Sequence, residues 1–237
     1  LMRATKAHSL ENLIGKRVGE ECEQYIKQHL GTKVKVTVSH DATCLMLAGL
    51  PEAPNPQGVV AGVVGTGTNF ALLSDTTILN LESGNFHDFM ISPTTQSIDQ
   101  DSNNPGQQLF EKSVSGAYLY QHYNLVAKTQ GLDPIESSNE LSFIASATQD
   151  SPEALLARQI IEGSAQMVGA HIAALYTHLG VKTLSVIMEG SLFWHGHTYK
   201  ETVEQTLQTL GIQGDKIHWI SVPKSSLVGT AYLVKKV

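Results

Sequence analysis

Three short apolar runs, at 58–65, 70–74 and 77–81, are separated by turns of only a few residues, and this spacing constrains the fold more than any other feature. Turns that short join strands antiparallel, so the region reads as a meander. Further on the pattern changes to a strand at 183–188, a helix at 198–210, a strand at 216–220 and a helix at 225–235. Strands separated by helices pair in parallel. A meander followed by that alternation predicts an α/β protein with a mixed sheet flanked by helices.

The rest of the chain can be fitted around this sheet. Residues 15–31 place Val18, Cys22, Tyr25, Ile26 and Leu30 on one helical face, with Gly31 available as a left-handed cap. Residues 33–38 alternate valine with Lys or Thr, the pattern of a strand with one buried face. A short apolar helix is expected at 42–50, closed by Pro51, and a long loop at 87–104. Pro105 is placed to open a helix at 106–123, and a long helix at 154–179 ends at Gly180.

Composition excludes several classes. With 41% hydrophobic and 16% charged residues in 237, the chain has ample material for a core and lacks the profile of a disordered segment. The richest apolar stretch, 167–179, is interrupted by His171 and His178 and is shorter than the ~20 residues of a membrane span. A net charge of −6 argues against a nucleic-acid binder held by phosphate contacts. The two cysteines, Cys22 and Cys44, fall on apolar helical faces and read as small core residues. A reduced, cytoplasmic protein is expected.

Five features could carry chemistry. Asp41 follows the 33–38 run and precedes a helix, where a carboxylate can meet a ligand or simply cap the helix. Gly65-Thr66-Gly67-Thr68-Asn69 offers bare amides and hydroxyls suited to phosphate, without the lysine of a Walker loop. Asn80 and Glu82 set an amide beside a carboxylate, a pair suited to vicinal hydroxyls. Gln108 and Glu111 lie three apart at the start of the helix after Pro105 and so are neighbours. His195 and His197 have metal-like spacing but no third ligand nearby in sequence, and read as surface loop.

The order and spacing of these features resemble the hexokinase family of the actin-like ATPase superfamily. Thr5-Lys6 is similar to the family's Thr-Lys before the small-lobe helix, and His40-Asp41-Ala42 falls on its Asn-Asp-Thr stretch. Gly65 to Asn69 is its phosphate loop without change. Asn80, Glu82, Gly84 and Phe86 resemble its sugar strand, and Pro105 to Gly116 matches its Pro-Gly-x-Gln-x-Phe-Glu-Lys-x-x-Ser-Gly helix. Glu189-Gly190-Ser191 resembles its Asp-Gly-Ser turn, and Gly229-Thr230-Ala231 its Gly-Ala-Ala helix start.

The resemblance implies a ribonuclease H-like fold, with residues 1–50 in the remainder of a small lobe and 51–237 in a large lobe. It implies ATP-dependent phosphorylation of a hexose, glucose first, at the 6-hydroxyl, with Mg2+ and with Asp41 as the proton acceptor. Thr5, Lys6, His40, Asn69, Glu82, Gln108 and Glu111 would contact the sugar. Gly65, Thr66, Gly67, Thr68, Gly190, Ser191, Ser226 and Gly229 would contact ATP. Two substitutions depart from the family: His40 stands where it has a sugar-binding Asn, and Ala42 where it has Thr. The family's first half, with its Asp-Leu-Gly-Gly-Thr loop, is not in these 237 residues. The chain therefore reads as the C-terminal portion of such an enzyme, with little turnover expected when alone. A sugar-binding or regulatory module without catalysis is the competing reading.

Overall fold

The structure, a computed structural model, describes residues 11–235. A five-stranded sheet runs through its centre, built from β1 (Val59–Val64), β2 (Thr68–Ser74), β3 (Thr77–Asn80), β4 (Leu184–Glu189) and β5 (Ile217–Ile220). Its spatial order is β3-β2-β1-β4-β5. The β1–β2 and β2–β3 pairs are antiparallel, whereas β1–β4 and β4–β5 are parallel. The meander and the mixed sheet expected from the sequence are both present.

Alternation along the strands divides the core. Val60, Val64, Phe70, Leu72, Leu184, Val186 and Met188 point to one side, Val59, Ala61, Ala71, Leu73, Ile187 and Ile220 to the other. Both faces are covered, which accounts for the near-continuous apolar runs of β1 and β4. The first face meets α4 (Leu109–Val114), α5 (Leu119–Gln130), α6 (Ser138–Ala145), the long α7 (Pro152–Leu179) and α9 (Tyr199–Thr209). The second meets α2 (Asp41–Gly49), against which α10 (Ser225–Lys235) also packs. A Cβ on Gly229 of α10 would lie 2.0 Å from the Cys44 carbonyl oxygen, so these two helices touch backbone to backbone.

Four sequence expectations are corrected. Residues 33–38 are not a strand: Val34 and Val36 keep the alternation as half-buried residues, but no paired neighbour lies alongside among the described residues. The Val36 amide is instead bound by Glu23 Oε1 at 2.8 Å. The helix at 18–30, α1 (Val18–Leu30), does end on left-handed Gly31, yet it buries none of its residues. Tyr25, Leu30 and Val38 are 62–72% exposed, and Cys22 is exposed where a core position was expected; Cys44 is buried. The 87–104 loop contains a helix, α3 (Pro93–Gln100), capped by the Ser92 hydroxyl. The helix expected at 106–123 is broken between α4 and α5. There the Gly116 and Ala117 amides turn away to the carbonyls of Gly65 (2.7 Å) and Thr66 (3.2 Å).

No helix of the described residues is long and apolar enough to cross a membrane. Thr5 and Lys6 lie outside the described residues.

Candidate active site

The β2–β3 edge of the sheet ends in a chain of polar side chains. Asn69 Nδ2–H donates to Asn80 Oδ1 at 2.7 Å, and Asn80 Nδ2–H donates to Glu82 Oε1 at 2.7 Å. The other end of the Asn69 amide is fixed too, its Oδ1 accepting from the Phe70 amide (2.8 Å) and the Ser83 amide (3.1 Å). Each amide orientation is thereby set by its neighbour, and the Glu82 carboxylate stands at the exposed end. Glu82 has a left-handed backbone (φ 49°), a conformation that costs a non-glycine residue of order 1 kcal/mol and needs surrounding structure to hold it.

A second carboxylate comes from α4. Glu111 is buried, and its Oε2 accepts the Thr68 amide at 2.9 Å, tying the helix to the start of β2, just after the Gly65–Gly67 turn. Gly84 makes the approach possible, because a Cβ there would lie 3.2 Å from Glu111 Cβ and from the Thr68 oxygen. Gln108 is the N-cap of α4, also left-handed (φ 55°). Its Oε1 accepts from Asn104 Nδ2 at 3.0 Å, and its amide donates to Asn85 Oδ1 at 3.3 Å. The buried Lys112 ammonium, next along α4, binds Asp99 (2.6 Å), Ser102 Oγ (2.9 Å) and the Asn104 carbonyl (3.0 Å). That anchor holds the Asn104 loop, and hence Gln108, in place.

Asp41 enters from the opposite direction, as the first residue of α2. The helix start favours its negative charge, and its Oδ1 accepts the Ala42 amide at 2.7 Å. His40 just before it places Nδ1 3.4 Å from Glu82 Oε1, so α2 and the Asn80–Glu82 corner meet at this contact. Both side chains are more than half exposed, so the pair contributes little to stability.

On the other side of the Gly65–Asn69 turn lies a cleft of about 300 Å³. Gly65, Thr66, Gly116 and Ser191 line it, with Ser138, Ser142 and His195 facing them. Gly190 (φ 120°) allows the β4 loop to touch the β1 end: a Cβ there would lie 2.0 Å from the Val64 oxygen. Ala117 and Leu192 complete the lining, so the walls mix apolar side chains with backbone and hydroxyl groups that can donate to an anionic ligand.

The structure thus links His40, Glu82, Asn80 and Asn69 in one chain of contacts, with Asp41 next to His40 and Glu111 bound to Thr68 next to Asn69. Gln108 is held through Asn104 and Asn85, while Gly65, Thr66 and Ser191 line the cleft. Gly67 and Thr68 belong to the turn and strand joining the two, and the Gly67 carbonyl closes the turn by accepting the Gly65 amide at 3.0 Å. Ser226 is exposed and does not line the cleft, and Gly229 is occupied by its contact with Cys44. Ser138, Ser142 and the Ser225–Glu189 hydrogen bond (2.5 Å) were not read from the sequence. His195 is at the surface, as expected, but it ends a short helix, α8 (Ser191–His195), instead of lying in a loop, and among the described residues no group of three or more His, Cys, Asp or Glu could hold a metal ion.

The mixed sheet, in the order β3-β2-β1-β4-β5 with helices on both faces, gives the chain the actin-like ATPase fold that hexokinase and ROK kinase structures share. The profile of the hexokinase family matches residues 59–130 and 136–235, and the chain belongs to that family. It is similar to Hexokinase-1 of Spinacia oleracea, 26% identical over 92% of this chain and 55% of the relative. The hexokinase of Schistosoma mansoni complexed with glucose has a TM-score of 0.75 at 20% identity, covering 98% of this chain and 65% of that one. A ROK family glucokinase from Streptomyces griseus, in complex with glucose and AMPPNP, has a TM-score of 0.64 at 18% identity, covering 91% and 72%. The chain spans about half the length of the spinach relative.

Proposed function

We propose that the protein containing this chain transfers the γ-phosphoryl group of ATP to the 6-hydroxyl of a hexose, glucose being the first candidate. One observation carries the reading: a single turn, Gly65 to Asn69, has Thr66 in the hydroxyl-lined cleft and Asn69 in the amide–carboxylate corner. A loop so placed puts a phosphate site next to a polyol site. Membership of the hexokinase family supports it, as do the glucose and AMPPNP named for the two structural neighbours.

In this reading Asn69, Glu82, Gln108 and Glu111 bind the sugar hydroxyls, the carboxylates as charge-assisted acceptors. Asp41 takes the proton of the 6-hydroxyl as its oxygen bonds to the γ-phosphorus and the bond to the β–γ bridging oxygen breaks, releasing ADP. Positioning and charge stabilisation carry most of such a reaction. Mg2+ would be carried chiefly by the nucleotide phosphates, and among the described residues no group of three or more His, Cys, Asp or Glu comes together to hold it apart from them.

The test is a coupled assay of the full-length protein with glucose, mannose and fructose. Asp41→Asn is expected to lower turnover at least ~100-fold with little change in sugar affinity. Near-normal turnover would remove Asp41 from the role. Hexose binding by the wild-type protein without any turnover would favour a sugar-binding module, the reading that the His40–Glu82 contact supports because it draws on a sugar-facing carboxylate.

A further inference from the structure

His171, midway along α7, is a partly buried titratable group with no part in the reaction above, yet it touches the immediate neighbours of three residues that have one. Its Nε2 is 3.1 Å from Ser83 Oγ, next to Glu82. Its ring packs edge-on to Phe70, next to Asn69 (centroids 4.7 Å apart), and lies 5.2 Å from Phe110, next to Glu111. These three contacts come from β2, from the turn after β3, and from α4.

Ser83 is gripped from both ends, its amide by Asn69 Oδ1 (3.1 Å) and its hydroxyl by His171. That double hold acts on the residue directly after left-handed Glu82, where strain has to be opposed by fixed neighbours. Behind the turn is a largely apolar cavity of about 650 Å³, lined by Leu81, Phe86, Phe89, Met167 and Ala174 as well as His171, with Glu82, Asn85 and His87 also in its lining. Those apolar side chains cannot bind the Ser83 hydroxyl in place of the imidazole. Burial keeps the ring neutral, pulling its pKa down to about 4.

We infer that His171 is a positioning residue for the hexose site: through Ser83, Phe70 and Phe110 it holds Glu82, Asn69 and Glu111 in register. The inference rests on the function proposed above. The first test does not depend on activity. In the full-length protein, imidazole 15N shifts of His171 are expected to move on Ser83→Ala, and unmoved shifts would overturn the hydrogen bond whether or not any hexose is turned over.

The second test is kinetic. His171→Leu and Ser83→Ala should each raise the KM for glucose ~10-fold, with kcat and the KM for ATP within ~2-fold. The double variant should be no worse than His171→Leu alone, and His171→Gln, whose amide can reach Ser83, should recover part of the loss. Additive effects, or equal changes for both substrates, would overturn the positioning role. If His171→Leu fails to fold, Ser83→Ala alone decides. A wild-type protein that shows the His171–Ser83 coupling but binds no hexose would reject the proposed function and leave the bond standing.

Discussion

Glu111 reaches from helix α4 to the Thr68 amide at 2.9 Å, so one buried carboxylate ties that helix to the start of β2 beside the Gly65–Asn69 turn. Glu111→Ala leaves a buried amide without its acceptor and is expected to cost about 1–3 kcal/mol of stability. Glu111→Gln keeps an acceptor oxygen while losing the charge. It should fold near-normally and weaken hexose binding, a contrast that thermal unfolding and calorimetry with glucose would read together.

Lys112, with its side chain fully buried against Asp99, gives a second prediction. Lys112→Met should destabilise the chain by about 3–5 kcal/mol, since it strands the Asp99 carboxylate without its cation. The same change frees the Asn104 loop from α4. Urea denaturation would measure the first effect, and faster proteolysis between 99 and 106 the second.

Acid should weaken the fold through two histidines. Burial lowers the pKa of His171 from 6.5 to about 4, and also lowers that of His122, whose ring bridges Thr94 Oγ1 (2.7 Å) and the Lys112 carbonyl (2.8 Å). For His171, between those limits the unfolded chain binds the proton that the folded chain refuses. The His171 contribution is therefore full above about pH 6.5 and falls as the pH drops toward about 4, by at most ~1.4 kcal/mol per pH unit, and His122 acts in the same direction. Urea midpoints at pH 7 and pH 5 test this, and His171→Gln should shrink the difference.

Gly116 is expected to be intolerant of any side chain. A Cβ there would lie 2.9 Å from the Gly65 oxygen, against backbone that cannot turn aside. Gly116→Ala should push the 115–117 segment off the loop and weaken nucleotide binding, with glucose affinity largely kept. Calorimetry with each ligand separately would show whether the loss falls on the nucleotide side.

The sheet was legible in the sequence because its signals are local: short turns for the meander, apolar alternation for the strands, Gly180 and Gly31 for helix ends. Misread elements depended on distant partners. The α4–α5 break is caused by the Gly65 and Thr66 carbonyls, far away in sequence, and apolar periodicity runs straight through it. Residues 33–38 have strand pattern, but a strand exists only beside another. Helix α3 buries just Thr95 and Ile98, too little for a periodic signal, although Ser92 followed by Pro93 is a start signal that could have marked it. At the site, the loop residues stood out as a motif. His171 did not, since nothing in a mid-helix histidine announces which turn it will meet. Ser138 and Ser142 were hidden for the same reason.

The glycine contact between α10 and α2 has a mechanical consequence. With Gly229 seated on the Cys44 backbone, there is no side-chain layer in which the two helices could slide, so they travel as one stiff body. Asp41, at the head of that body, has a fixed lever arm to the sheet. Any motion of Asp41 against the rest of the chain must therefore carry α2 and α10 together, and the chain reaches Asp41 through residues 31–40, which lie in neither helix nor strand.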